Sequence, residues 1–324
     1  MSTKLYPLKF KPILKERLWG GSRLRDVFGK SIPNEITGES WELSAVDEDV
    51  SILVNGEFKG KSLKELIRDW EVELLGDVVF SKFGHEFPVL IKFIDAKMDL
   101  SVQVHPDDEL AGKRHRSLGK TEMWYIMDAE EDAHLILGFN KDVSREQYQK
   151  FLEEGRIMEL LNFQKVKEGD TFFINAGTIH AIGAGVLLAE IQQASDVTYR
   201  IFDFDRKNIE GKTRELHTEL ALDAMEYRRK VDFNVNYSKK NNQLNPMVRC
   251  PYFKTDYLEL TADMVRRSES KESFTILICV QGYASVYNEA GSAEIQYGET
   301  VLIPAGSTVL GIRTMGAKFL EVTL

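Results

Sequence analysis

Cysteine is scarce in this chain. Only two occur in 324 residues, Cys250 and Cys279, with no CxxC spacing, so a disulfide framework and a thiolate metal cluster are both excluded. Buried free thiols in a reducing compartment are expected, which makes the cytoplasm the default location. No apolar run approaches the ~20 residues of a membrane span. The opening stretch, Met1-Ser2-Thr3-Lys4-Leu5-Tyr6-Pro7, lacks the apolar core of a signal peptide. Excess positive charge is missing too: the net charge is −9, which argues against a general binder of nucleic acid or anionic membrane. An acidic exterior still leaves room for a small cationic pocket.

The composition that remains, 43% hydrophobic and 29% charged, is that of an ordinary globular protein, and the length suggests two domains or one large domain with an attachment. Residues 5–60 read as short strands and turns, with strand character at 39–44 and an Asn55-Gly56 turn of hairpin type after Ile52-Leu53-Val54. Ser62-Leu63-Lys64-Glu65 is a capping box opening a helix whose apolar positions, Leu63, Leu66, Ile67 and Trp70, repeat with helical period up to a stop at Gly76. Residues 87–105 are strand-rich. Lys92 is a lone charge in that apolar run, and it either snorkels from an edge or faces a polar pocket. Asp107, Asp108 and Glu109 start a short helix as caps. Ser144 and Gln147 form a second capping box, predicting a helix to about Leu161, and a weaker helical segment lies near 219–227. The polar run 236–243 has no hydrophobic period and marks a domain boundary; after Cys250 only short strands and glycine turns follow.

An internal repeat supports that division. Residues 169–180 align without gaps to 298–309: Gly, acid, Thr, three apolar residues, Asn or Pro, Ala-Gly, then Ser or Thr. The copies differ at the end, where His180 is answered by Val309. A duplicated barrel with chemistry in the first copy only is the expectation.

The chemistry centres on Ser101-Val102-Gln103-Val104-His105-Pro106. In a strand, Gln103 and His105 point to one face with Cα atoms roughly 6.6 Å apart, close enough to reach one ion. Glu122 opens a strand-forming run after Lys120-Thr121, and His180 ends a second strand and turn. An amide, two imidazoles and a carboxylate, without a thiolate, suit a catalytic zinc or another first-row divalent ion with a position left open.

The acid, Ala-Gly and His pattern at 170–180 resembles the second motif of the cupin superfamily, small β-barrels that hold one divalent metal. More specifically, the chain resembles the type I phosphomannose isomerase family in its short bacterial form, along essentially its whole length. The resemblance is carried by Trp19-Gly20-Gly21, Gly38-Glu39-Ser40-Trp41-Glu42, the 101–107 and 120–124 stretches, Asn175-Ala176-Gly177-Thr178-Ile179-His180-Ala181 and Gln192 to Arg200, in the family's order. The chain departs from longer members in a smaller helical insertion, and in Thr121, where many members carry Pro between the Lys and the Glu.

The resemblance implies a mainly β fold of two cupin-like (jelly-roll) barrel domains with a small helical insertion. The domains expected are 1–234, metal-binding, with helices near 62–75 and 144–161; a linker at 235–249; and 250–324, without the metal histidine. It implies one Zn²⁺ per chain on Gln103, His105, Glu122 and His180, and an active site lined by Arg200 and Lys120, with Asp196, Lys92, Ser101 and Trp19 as further members. The implied reaction interconverts mannose 6-phosphate and fructose 6-phosphate through an enediol or enediolate. That reaction needs a base and positive charge beside the developing oxyanion. Lys92, Lys120 and Arg200 supply cations for the phosphosugar. Arg200 is assigned to the enediolate, and Lys120 (its pKa lowered by a nearby cation) or Asp196 to the proton. In a regular strand Asp196 and Arg200 share a face about 13 Å apart. Asp203 and Asp205 alternate with phenylalanines as a solvent face, and His85, His115, His134 and His217 sit in no ligand-like context. No nucleic acid or membrane partner is expected. Two other classes remain: a metal-dependent oxygenase on the same kind of barrel, disfavoured by the lack of three clustered histidines, and a sugar-phosphate binder without catalysis.

Overall fold

A computed structural model describes residues 4–207, 210–267 and 271–324. All strand pairing between its named strands is antiparallel, and two sheets form the first barrel. One has the order Thr171–Ile174, Glu122–Ala129, Val186–Gln193, Val89–Ala96, Thr37–Leu43, Ile13–Gly21. The other runs Leu161–Lys165, His134–Phe139, His180–Ile182, Val102–Val104, Tyr199–Phe202. Their facing sides share one apolar cluster, in which Ile94, Trp124 and Leu188 of the first sheet meet Leu135, Leu137 and Ile182 of the second.

Each sheet is also covered from behind. The six-stranded sheet turns Ile91, Met123 and Ile191 toward Leu66, Leu74, Ile276 and Leu320, so helix Leu63–Leu75 and the C-terminal half lie on its back. The five-stranded sheet turns Val102, Val104 and Ile201 toward Tyr148, Leu160 and Leu222, from the helices near 145–160 and 218–224. Cover on both faces explains why Val89–Ala96 and Val186–Gln193 are buried along their full length and read as near-continuous apolar runs. A charge within such a run has to face a polar interior.

The C-terminal strands repeat this plan. Thr300–Ile303, Thr275–Asn288, Ala317–Thr323, Lys254–Leu260 and Leu244–Arg249 stand in the order that the first sheet uses from Thr171–Ile174 to Thr37–Leu43. Gly291–Gln296, Thr275–Asn288 again, Val309–Arg313 and Met264–Arg267 repeat the second sheet. One strand of 14 residues, Thr275–Asn288, therefore does the work of the two strands Glu122–Ala129 and His134–Phe139. The aligned glycines Gly169 and Gly298 both hold left-handed backbone, with φ of 82° and 79°, at the turn entering each repeat. The mainly β fold and its duplication are as the sequence indicates. Among the described residues, no helix is long and apolar enough to cross a membrane.

Both capping boxes form, Ser62 with Glu65 and Ser144 with Gln147, each stabilising its helix by about 1 kcal/mol. Asp107 caps Asp108–His115 as expected, accepting from the Leu110 amide at 2.9 Å. Asn55-Gly56 lies in the loop of a short hairpin: Ile52 bridges Ser62 antiparallel and Leu53 bonds the Lys61 and Gly60 backbone, while Ile52–Leu53 pairs on its other side with Phe10–Lys11 and the Asn55 side chain holds Lys9 and Pro7 backbone. Three readings need correction. The second long helix stops at Glu153, because Gly155 takes a φ of 69°, and only a 3₁₀ turn, Ile157–Leu160, follows. The sequence also gave no sign of helix Asp77–Phe83. Finally, strand Leu244–Arg249 falls in the stretch read as linker, while 236–243 carries no regular element. Cys279 is buried and Cys250 half-buried, both free.

Candidate active site

Strand pairing brings the four sequence candidates together from two sheets. His180 lies opposite Gln103, and Glu122 approaches from the facing sheet, paired with Ile174 and Gln192. His105 follows directly after its strand. The Glu122 carboxylate lies 3.3 Å from His180 Nε2 and 3.8 Å from His105 Nε2, and all three residues are buried. The Gln103 amide is 3.3 Å from His180 Nε2. Turning that amide over brings its oxygen to the same point.

The imidazoles are pre-set. His105 Nδ1 is 3.0 Å from the Val197 carbonyl and His180 Nδ1 is 2.8 Å from the Thr178 carbonyl, so each Nδ1 donates and each Nε2 turns a lone pair inward. Burial drives both rings toward the neutral form: His180 is lowered to about 4, and His105 well below its ordinary range, with Lys120 adding to the effect. Burial raises the Glu122 carboxyl to about 8, against the pull of Lys120. Neither oxygen of that carboxylate accepts a hydrogen bond, although the residue is wholly buried. Two neutral imidazoles, an amide and an orphaned carboxylate converging on one point fit a divalent cation. Among the described residues His105, Glu122 and His180 form the one group of this kind, with ligand atoms within 4.8 Å of one another.

Lys120 Nζ sits at the edge of this cluster, 3.2 Å from His105 Nε2 and 3.3 Å from Glu122 Oε2. The expectation of a lowered lysine pKa is reversed here. Burial opposes its charge, but Glu122, Glu190, Asp196 and Glu39 outweigh burial and push its pKa up.

A cleft of about 450 Å³ opens onto Gln103 and Lys120. It is also lined by the other five residues expected from the sequence, Trp19, Lys92, Ser101, Asp196 and Arg200. Lys92 faces this polar interior, 3.2 Å from Glu190 and 4.9 Å from the centre of the Trp41 ring. Asp196 and Arg200 do not share a regular strand, since the strand begins only at Tyr199; Asp196 lies in the exposed segment before it.

Charged lining residues to which the sequence reading gave no site role include Arg17, Glu39, Glu190 and Arg214. Glu39 takes Arg17 in a two-pronged ion pair at 2.8 and 3.1 Å and accepts from Trp41 Nε1 at 2.7 Å. Burial opposes its charge, but Lys92 and Arg17 more than offset this and hold it at about 2. Glu190 bonds Trp124 Nε1 at 2.9 Å as well as Lys92. The signal for Glu190 was present: it is a charge in a buried apolar strand, as Lys92 is. Asp203 is not a solvent-facing residue, because it is buried and binds both Arg206 and Arg214. Beside that trio, the Arg200 guanidinium donates to Glu215 O at 2.9 Å, while its Nε is buried without a partner. Burial, then Arg214, lower its pKa. His217 Nδ1 accepts from the Arg200 amide at 3.2 Å and His115 bonds the Tyr199 hydroxyl at 2.7 Å, so both are structural.

Against known proteins, a family model described as the catalytic domain of type I phosphomannose isomerase matches residues 7–132. Mannose-6-phosphate isomerase ManA of Bacillus subtilis is 38% identical over 305 residues, 93% of each chain. The mannose-6-phosphate isomerase of Streptococcus mutans is 35% identical over 299 residues, 92% of each. The solved structure of the mannose 6-phosphate isomerase from Bacillus subtilis superposes with a TM-score of 0.88 at 34% identity, covering 99% of this chain and 100% of that one.

Proposed function

The chain belongs to the type I phosphomannose isomerase family, and on that premise we propose that its cleft interconverts mannose 6-phosphate and fructose 6-phosphate with a zinc ion on Gln103, His105, Glu122 and His180. The observation that carries the reading is the Glu122 carboxylate, buried between two inward-turned imidazoles with neither oxygen hydrogen-bonded. When bound, the ion would supply Lewis-acid stabilisation of the charge that develops on the sugar oxygens.

The remaining work falls to the side chains. Arg200, whose Nε has no partner, meets the enediolate or the phosphate as a planar donor. Lys92 and Lys120 keep the cleft wall cationic, while Glu190 and Glu39 hold the lysine and tryptophan side chains in place. Trp19 and Ser101 border the sugar. The proton moving between C1 and C2 is carried by Lys120 or Asp196. Asp196 is exposed and reaches the cleft; Lys120 borders the Glu122 carboxylate, which stabilises its ammonium and would do so less with its charge shared in metal binding. Solvent-isotope exchange at C1 and C2 in Lys120→Ala and Asp196→Ala assigns the step, and unchanged exchange in both removes the two candidates.

The same proposal takes 1–234 as the catalytic domain and the C-terminal barrel, counted from strand Leu244–Arg249, as the partner domain, with 235–243 as the connection, in a cytoplasmic enzyme. Its test is a coupled assay on mannose 6-phosphate with protein stripped by chelator and reloaded with Zn²⁺. Activity should vanish and return with the ion. Inactivity with zinc confirmed bound would overturn the isomerase reading and leave the metal site standing; stoichiometric iron with oxygen uptake would indicate an oxygenase instead.

A further inference from the structure

The strand-for-strand duplication allows each position of the catalytic cleft to be found again in the C-terminal barrel. Ile174 aligns with Ile303; Ile174 pairs with Glu122, and Ile303 pairs with Thr275, so Thr275 stands where the first barrel has its metal carboxylate. Two residues earlier, Ser273 stands in the place of Lys120. One strand over, Glu190 pairs with Trp124 and Glu321 pairs with Leu277, which makes Glu321 the counterpart of Glu190. Both carboxylates are buried, and both are matched to a cation: Glu190 to Lys92, Glu321 to Arg266. Arg266 reaches Glu321 with two nitrogens, from the strand that corresponds to Val102–Val104.

The region around these residues is open. A cavity of about 340 Å³ is lined by Ser273, Thr275, Ser307, Thr323, Arg266 and Glu321, with Ile303 and Pro304 as an apolar floor. That volume falls within the roughly 300–1,000 Å³ usual for small-molecule pockets. Arg266 Nε is buried and makes no hydrogen bond, an unsatisfied donor beside the cavity. The lining lacks the metal ligands; Arg266 is already paired with Glu321, and the other charges on the lining, Lys254, Arg267 and Glu272, are exposed and of both signs, so no buried, unpaired cation selects for a dianionic phosphate. A paired carboxylate and guanidinium with a ring of hydroxyls and one apolar wall instead matches vicinal sugar hydroxyls, which accept from the arginine and donate to the carboxylate.

We propose that the C-terminal barrel holds a second, metal-independent site for a neutral monosaccharide, built on Arg266 and Glu321 and opening past Thr275. This inference goes beyond the isomerase reading and stands on the internal repeat; isomerase activity enters the test only as a control. The probes are D-mannose, D-fructose and D-glucose, titrated by ligand-observed NMR onto the zinc-loaded full chain. Binding of at least one sugar is expected. It should persist in His105→Asn, which removes a metal ligand, and weaken about tenfold or more in Thr275→Phe and in Thr323→Trp, which fill the cavity from two different strands. Activity and thermal unfolding are read on both fillers, so that loss of binding in a folded, active variant counts. The proposal is overturned if none of the three sugars binds, if binding disappears in His105→Asn, or if it survives unchanged in a folded filler variant.

Discussion

Between the sheets of the first barrel lie Lys92, Gln103, His105, Lys120, Glu122, His180 and Glu190, nearly all buried. At the matching strand positions of the second stand Asp256, Ser273, Thr275, Val309 and Glu321, with no histidine among them. Each barrel keeps an apolar cluster beside these positions, but only the first concentrates charge and imidazole there. Desolvating each buried charge costs several kcal/mol unless it is paired, so a barrel filled this way is poor at holding itself together. The second copy compensates through contact: one hydrophobic cluster runs from Leu66, Ile91 and Met123 of the first half into Phe253, Ile276 and Leu320 of the second. One copy does chemistry while the other supplies burial.

The sharpest way to break this contrast is to write the second barrel's residue into the first. His180→Val copies the aligned Val309, and it should abolish stoichiometric zinc and lower turnover by a factor on the order of 10³; metal analysis with the coupled assay checks both. Next comes the reverse weakness. Phe319→Ala in the apolar interior should cost about 3–5 kcal/mol of stability in a denaturant titration, with turnover per bound zinc little changed. Lys92→Met strands the Glu190 carboxylate in the first barrel and Arg266→Met strands Glu321 in the second. Each should cost about 3–5 kcal/mol at most, less for Arg266 because it is partly exposed, and only the first should raise KM.

The last expected effect concerns pH in the metal-stripped protein. The Glu122 carboxyl is raised from 4.5 to about 8 in the fold, so between those values the folded chain binds a proton that the unfolded chain does not. Stability from this group is full below about 4.5 and falls as pH rises through about 8. Thermal melts of stripped wild type against Glu122→Gln should show this fall between about pH 4.5 and 8 only in the wild type, and zinc should remove it. A parallel pair of curves would remove Glu122 as its source.

The metal site was legible because alternation in a strand puts Gln103 and His105 on one face, and because the two copies of the repeat differ at His180 and Val309. Glu122 could be read from its strand-forming context. The cleft wall was less legible. Arg17 and Glu39 meet through strand pairing between Ile13–Gly21 and Thr37–Leu43, with register shifts that no local pattern announces. Asp203 looked like a solvent-face residue because alternation with phenylalanine says nothing about two arginines arriving from beyond it. The raised pKa of Lys120 likewise depends, beside its near neighbour Glu122, on three carboxylates brought in from other parts of the chain.

Leu8 exchanges both backbone hydrogen bonds with Leu302, at 2.8 and 2.9 Å, and Leu5, Tyr6 and Leu8 are buried with it. During synthesis, Leu8 must wait for Leu302, about 300 residues later, before it finds its place. At roughly 5–20 residues per second that delay is tens of seconds, during which an apolar segment stays uncovered on the nascent chain. The fold closes here only once residue 302 has been made, well after the strands of the catalytic barrel.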